Sequence, residues 1–194
     1  MGHMDANALS VLPEAGTMLV IDDFLNVRED ALRSRFGDWA GPDGEVYRRI
    51  CIKEIPGLRD AVERVMGPVE MLGMAYRLNF AGEVPNHAIH SDMGWGTHAI
   101  VVYLSDGPGG TALWRHKATG AHRIDPGDWD LFEAVKGDWD DASKWEQTAL
   151  TKTKLGRGVI YESALFHSRW PFEAYGSDIH DGRLIAVAFF TPRT

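Results

Sequence analysis

His98-Ala99-Ile100-Val101-Val102-Tyr103-Leu104, then Asp106-Gly107-Pro108-Gly109-Gly110, then Thr111-Ala112-Leu113-Trp114-Arg115 is the stretch that decides the fold. Two apolar runs rich in β-branched and aromatic residues flank a cluster of Gly, Pro and Asp, which predicts strand, turn, strand. The same texture continues in both directions. Strands are expected at Val69 to Phe80, His87 to His90, Trp145 to Thr153, Val159 to Tyr161, Leu165 to Arg169 and Leu184 to Thr191. Ala81-Gly82, Gly156-Arg157-Gly158 and Asp181-Gly182 supply turns between them.

Upstream the pattern differs. Met18 to Ile21 is a short apolar run closed by Asp22-Asp23. Asn26 then occupies a cap position, with Glu29 three residues on and Ala31, Leu32 and Phe36 behind it, so a capped helix is expected there. A second helix is expected over Pro56 to Met66, ended by Gly67-Pro68. Two leading helices and about eight strands predict a mainly β fold with flanking helices, a sandwich or barrel.

Composition sets the outer limits. The chain has 194 residues, 44% hydrophobic and 25% charged, which suits one globular domain. Met1 to Met4 reads as a cloning scar, leaving residues 5–194 as a single domain. The net charge of −8 argues against a nucleic-acid partner, which would need a basic face. One cysteine, Cys51, excludes an intrachain disulfide and points to a reducing, cytoplasmic setting. No apolar run reaches the roughly 20 residues of a membrane span.

Gly127-Asp128-Trp129-Asp130 recurs as Gly137-Asp138-Trp139-Asp140 in an acidic, tryptophan-rich insertion, residues 125–145. Its tryptophans are expected to pack back on the sheet; the functional alternative is a lid over a site.

The chemistry centres on His90-Ser91-Asp92. On a strand these two side chains share one face. With eight His in 194 residues, about one such spacing arises by chance, so the pair alone carries nothing. A third ligand must come from elsewhere, and His167 follows the apolar run at Val159 to Tyr161. Two histidines and a carboxylate on one face of iron leave positions for a bidentate oxoacid and dioxygen. Arg183 opens the last strand, where a guanidinium can grip a carboxylate through two parallel hydrogen bonds.

This order, His-x-Asp, a long gap, His, then Gly-Arg before an apolar strand, resembles the Fe(II)/2-oxoglutarate-dependent oxygenase superfamily. Val20-Ile21-Asp22-Asp23-Phe24-Leu25, Arg77-Leu78-Asn79-Phe80-Ala81-Gly82 and Val101-Val102-Tyr103-Leu104 with Gly109-Gly110-Thr111-Ala112-Leu113 are similar to its prolyl-hydroxylase-like branch. The resemblance covers about residues 18 to 191. It implies a double-stranded β-helix (jelly-roll, cupin-like) core and Fe(II) held by His90, Asp92 and His167. It implies 2-oxoglutarate as cosubstrate, anchored by Arg183, with Tyr76 or Tyr103 as the supporting hydroxyl because Phe80 has none. The expected reaction couples oxidative decarboxylation of 2-oxoglutarate to C–H hydroxylation of a small molecule, an amino acid or a natural-product intermediate, with dioxygen. Asp92 favours hydroxylation, since related halogenases lack that carboxylate.

Two spacings depart from the pattern. His167 and Arg183 stand sixteen residues apart, longer than usual, which an inserted loop at Pro171 to Asp181 explains; Arg169 is the fallback anchor. His180 is the alternative third ligand, and His87 and His98 are read as supporting or surface histidines. Arg77, Asn79, Trp95, Arg115, His116 and Trp170 are the candidate substrate-binding residues, together with Trp114. A cupin-type metalloenzyme without 2-oxoglutarate, or a catalytically silent binding or sensing domain on the same barrel, remain the alternatives. A hydrolytic zinc site lacks a His-Glu-x-x-His motif.

Overall fold

A computed structural model describes residues 16–27, 50–82, 88–177 and 180–193. The helix expected after Asn26, and His87, lie outside the described residues. Among the described residues, nine strands and two α-helices fall in chain order, with one short 3-10 turn at Ala142–Lys144. They are β1 (Met18–Ile21), β2 (Ile50–Ile52), α1 (Leu58–Met66), β3 (Val69–Asn79), β4 (His98–Tyr103), β5 (Gly110–His116), α2 (Trp129–Val135), β6 (Trp145–Lys152), β7 (Gly158–Glu162), β8 (His167–Trp170) and β9 (Arg183–Pro192).

The strands form two sheets, one ordered β1-β7-β4-β9-β3-β2 and one ordered β6-β5-β8. All pairings are antiparallel. The chain changes sheet from β4 to β5, and again from β6 to β7, from β7 to β8 and from β8 to β9. This alternation is the path of a double-stranded β-helix. The β4–β5 turn works because of its glycines. Gly109 has φ +86°, and a Cβ there would lie 1.8 Å from the Trp170 carbonyl oxygen. A Cβ on Gly110 would lie 1.5 Å from that of Thr151, so a side chain at either position would push β5 away from its neighbours.

Burial explains why the strands read as unbroken apolar runs. Along β4, Ala99, Val101 and Tyr103 face the inter-sheet core, whereas Ile100 and Val102 face a second core on the outer side of the large sheet. β9 divides in the same way, with Ile185 inward and Leu184, Ala186, Ala188 and Phe190 outward. Helix α1 covers that outer face with Leu58, Ala61, Val62 and Met66, spaced as one helical stripe. Each large side chain buried this way contributes about 1.5–3 kcal/mol. A third apolar layer lies outside the small sheet, where Val135 and Leu131 of α2 meet Trp114, Trp145 and Phe166.

Several sequence expectations change. Helix α1 begins at Leu58, two residues late, because Gly57 sits at φ +75° and Pro56 belongs to the turn. Of the strand expected at His87 to His90, the described residues 88–90 hold a single bridge, between His90 and His167. The tryptophan-rich insertion contains α2, capped by the Asp128 side chain, which accepts from the Leu131 N–H at 3.1 Å. None of its tryptophans lines the cavity described below, so the lid alternative fails: Trp145 is buried and Trp139 packs on Phe132, outside the small sheet. Among the described residues, no helix is long and apolar enough to cross a membrane.

Candidate metal centre

His90 and His167 are direct cross-strand partners. The His90 N–H donates to the His167 carbonyl at 3.0 Å and the His167 N–H returns the bond at 2.9 Å. This exchange extends the small sheet by one residue and sets the two rings 4.5 Å apart. Asp92 continues the segment, its N–H donating to the Ser163 carbonyl at 2.9 Å. Between them Ser91 bonds its hydroxyl to the Ala164 carbonyl at 3.0 Å. Upstream, the acidic insertion holds the approach to His90. Ala88 N–H donates to Asp140 Oδ1 at 2.7 Å, and Ile89 N–H to the Trp139 carbonyl at 3.0 Å.

The ligating atoms of His90, Asp92 and His167 all lie within 4.8 Å of one another. His167 Nδ1 faces the Leu165 carbonyl at 2.9 Å, and a carbonyl only accepts, so Nδ1 carries the proton. Its other nitrogen, Nε2, lies 3.1 Å from Asp92 Oδ2, and His90 Nε2 lies 3.7 Å from Asp92 Oδ1. A bare nitrogen that close to a carboxylate oxygen requires a cation between them, a proton or a metal ion. Burial and then the neighbouring His167 lower the His90 pKa to about 4, so the imidazole is neutral and available as a ligand near neutral pH. For Asp92, burial pushes upward, but His167, His90 and Arg77 together outweigh it and hold the carboxyl at about 2. A neutral imidazole and an ionised carboxylate are the protonation states a divalent metal needs.

The triad stands on the wall of a cavity of about 510 Å³ between the sheets. Arg183 lies in the same cavity, 4% exposed, opposite Asn79 on β3. Its guanidinium carbon is 5.8 Å from the centre of the Tyr103 ring, and its Nε is buried without a hydrogen-bond partner. Tyr103 spends its hydroxyl on Thr111 Oγ1 at 2.8 Å, and burial, opposed by Arg183, raises its pKa. An orphaned donor on a buried arginine is what an incoming carboxylate satisfies. The donor set and this orphaned atom therefore fit a metal and an oxoacid.

Of the other candidates, Arg77 and Trp95 line the cavity, and Arg169, the fallback anchor, does too. Asn79 is buried at the register position facing Arg183. Four expectations are corrected. Tyr76 belongs to the core under α1, on the opposite face of β3 from Arg77, because neighbours in a strand alternate. Arg115 is exposed and pairs with Glu146 across β5–β6. His116 is buried outside the small sheet, bonded to Thr119 and to Asp138 Oδ2 at 3.0 Å. Trp170 packs with Trp114 and Phe172 in that same outer layer. His180 is exposed and outside the triad, and His98 stacks on Phe190. Tyr161 went unnoticed in the sequence, although it lines the cavity with its ring 4.8 Å from that of His167. Its inward position in β7 was the available signal.

A search among curated proteins returned no match. Solved structures do match. The "non-heme alpha ketoglutarate dependent carbocyclase SnoK from nogalamycin biosynthesis" is 16% identical, with 97% of this chain and 87% of that one covered at a TM-score of 0.59. A prolyl-4-hydroxylase from Pseudomonas putida is 18% identical, with 91% and 93% covered at 0.50. A viral collagen prolyl hydroxylase from Paramecium Bursaria Chlorella virus-1 is 14% identical, with 97% and 98% covered at 0.51. At such identities the likeness concerns the fold. By sequence, a family model described as a family of unknown function, DUF6445, matches residues 77–190, a span that holds the triad and Arg183. More than half of the chain is matched, so it belongs to the DUF6445 family, which it carries on the double-stranded β-helix of the iron and 2-oxoglutarate oxygenases.

Proposed function

We propose that this protein is a non-haem iron oxygenase that uses 2-oxoglutarate to hydroxylate a small molecule, in a reducing, cytoplasmic setting. One observation carries the reading. Two imidazole Nε2 atoms and a carboxylate converge on one wall of a cavity that also buries an arginine with an unpaired Nε. His90, Asp92 and His167 would hold iron, and Arg183 would hold the distal carboxylate of 2-oxoglutarate. Bound together, the two would supply dioxygen activation, one oxygen atom ending in succinate as the oxoacid gives up carbon dioxide and the other becoming available for the substrate.

The chain's own residues supply placement. The paired His90 and His167 backbones keep both imidazoles on one side, and the Leu165 carbonyl fixes the His167 tautomer. Tyr103 packs under the guanidinium of Arg183 and limits its freedom. The apolar inter-sheet wall, including Val101 and Ile185, keeps water from the oxoacid end.

The test is anaerobic addition of Fe(II) and 2-oxoglutarate, followed by oxygen and quantification of succinate. A weak visible charge-transfer band before oxygen, and succinate after it, are expected from the wild type. His90→Ala should lose both, whereas Arg183→Met should keep metal binding and lose oxoacid affinity. Metal binding with neither a band nor calorimetric binding of 2-oxoglutarate would overturn the reading and leave a metalloenzyme of another kind or a silent barrel.

A further inference from the structure

Along the large sheet the cavity floor passes from charged to apolar. β3 and β9 run through it in facing pairs, Asn79 with Arg183, Arg77 with Ile185, Ala75 with Val187 and Gly73 with Phe189. The last two pairs carry no polar side chain. They lie toward a rim of exposed apolar residues, with Ile52 beside Ala75, Leu72 beside Gly73 and Trp95 against Phe189.

Two irregularities shape this end. Met71 faces Phe190 and Gly73 faces Phe189, so Leu72 is one residue too many in β3, a bulge. Leu72 and Gly73 both line the cavity as a result, where unbroken alternation would send one of them to the outer face. Gly73 lies outside the left-handed region, and no described atom comes within 4 Å of the position a Cβ would take. Glycine inside a strand often marks a place where something approaches the backbone closely, and here the space above it is open cavity.

The aromatic side of this end is tied to the triad. The Trp95 N–H donates to the Asp92 carbonyl at 3.1 Å, closing a turn directly after that ligand. Trp95 is 59% exposed, its ring 5.7 Å from that of Phe189 and tilted 34° to it. Gly96, at φ +85°, lets the same loop lie against Leu72 and the Phe190 carbonyl, which a Cβ there would meet at 2.7 and 2.9 Å. Phe189 and Tyr161 flank Ala99 of β4 from its two sides, and the Tyr161 ring packs on that of His167. Two strand spacings, roughly 10 Å, therefore separate Phe189 from the tyrosine that touches a ligand.

We propose, resting on the oxygenase reading, that the substrate carries a flat, uncharged ring system, an aryl or fused-ring body. It lies on the bare backbone at Gly73, between Leu72 and the Trp95–Phe189 pair. A slab suits this place because the glycine floor admits a flat face, and the neighbouring rings add offset or edge-to-face contact to the area buried. Its far edge extends past Ala99 toward Tyr161 and His167, which presents the C–H bonds of that edge to the triad.

The test uses the protein loaded with Mn(II) and saturating 2-oxoglutarate, without oxygen. 2-Naphthol and its saturated counterpart, decahydro-2-naphthol, are titrated by calorimetry; both are uncharged at neutral pH and share one carbon skeleton. The flat alcohol should bind roughly two- to ten-fold more tightly, the range of an aromatic pair beyond its buried area. Trp95→Ala should erase that preference, and Trp95→Phe should keep part of it. Gly73→Leu should weaken both alcohols by more than about ten-fold, by placing a side chain where the ring lies. Mn(II) and 2-oxoglutarate affinities should stay within about two-fold in all three variants, as for independent sites. Should Gly73→Leu lose 2-oxoglutarate as well, the two Trp95 variants decide. A saturated alcohol that binds as tightly as the flat one overturns the inference and leaves the oxygenase reading intact. So does an unchanged preference in Trp95→Ala, or unchanged alcohol affinity in Gly73→Leu. A wild type that binds 2-oxoglutarate but neither alcohol, or that releases it when either enters, does the same. Failure of the wild type to bind 2-oxoglutarate is the failure of the oxygenase reading, and the inference falls with it.

Discussion

Asp92 joins the two histidines, with one carboxylate oxygen toward each Nε2. Replacing it by alanine leaves two neutral imidazoles and no anionic donor. Asp92→Ala is expected to lower Mn(II) or Co(II) affinity by more than about 100-fold, beyond the range for loss of a supporting hydrogen bond. Calorimetric titration of metal into the folded variant checks it. At this scale the sequence was informative about identity and uninformative about direction. His90 and Asp92 were legible because two-residue spacing puts side chains on one face. Tyr76 was misread because an aromatic beside the motif carries no mark of which face it takes, and α1 had already claimed that face of β3.

The acidic insertion shows what an element does for a site it does not touch. Asp138 accepts from buried His116 of β5, while Trp139 and Asp140 hold the backbone of Ile89 and Ala88 just before the ligand His90. Asp138→Ala strands a buried imidazole nitrogen, at a cost of about 1–3 kcal/mol. It should also weaken metal affinity by about ten-fold, because the strap that fixes the His90 segment loosens. Thermal unfolding and metal titration of the same variant read the two effects separately. A second tie joins the end of β1 to the turn before β7. Hydrogen bonds from Arg157 and then Lys154 bring the Asp22 pKa down to about 2. The folded-state value is the depressed one, so this contribution is present above about pH 4, the ordinary carboxylate value, and is lost as pH falls toward 2. Asp22→Asn is therefore expected to flatten the dependence of Tm on pH in that window and change little elsewhere. The contribution is small, since the pair is exposed and screened.

Across the whole molecule, three apolar layers sandwich two sheets, and the site lies at the open end of the middle layer. Its ligands come from the His90 bridge and from β8, so a bound ion ties the small sheet to the segment entering the large one. Metal should then stabilise the fold by linkage, about 2.7 kcal/mol at a hundred times Kd. For a chain of this size that is a rise in Tm of roughly 5–10 °C. Melting curves with and without Mn(II) test it, and the Asp92→Ala protein should show no rise.

Local chemistry in the chain determined the kinds of element and the ligand types. Alternating or continuous apolar runs made strands, Gly and Pro made turns, and His-x-Asp put two donors on one face, because each of these depends only on neighbours along the backbone. Only the tertiary structure decided the rest. It paired His90 with His167 across seventy-seven positions, drew Arg77 and Arg183 into one cavity, and sent His116, Arg115 and Trp170 away from it. Which face of a strand meets a cavity, and which meets a helix, is set by what packs on each side. That is a property of distant residues brought together, and no spacing within a single strand encodes it.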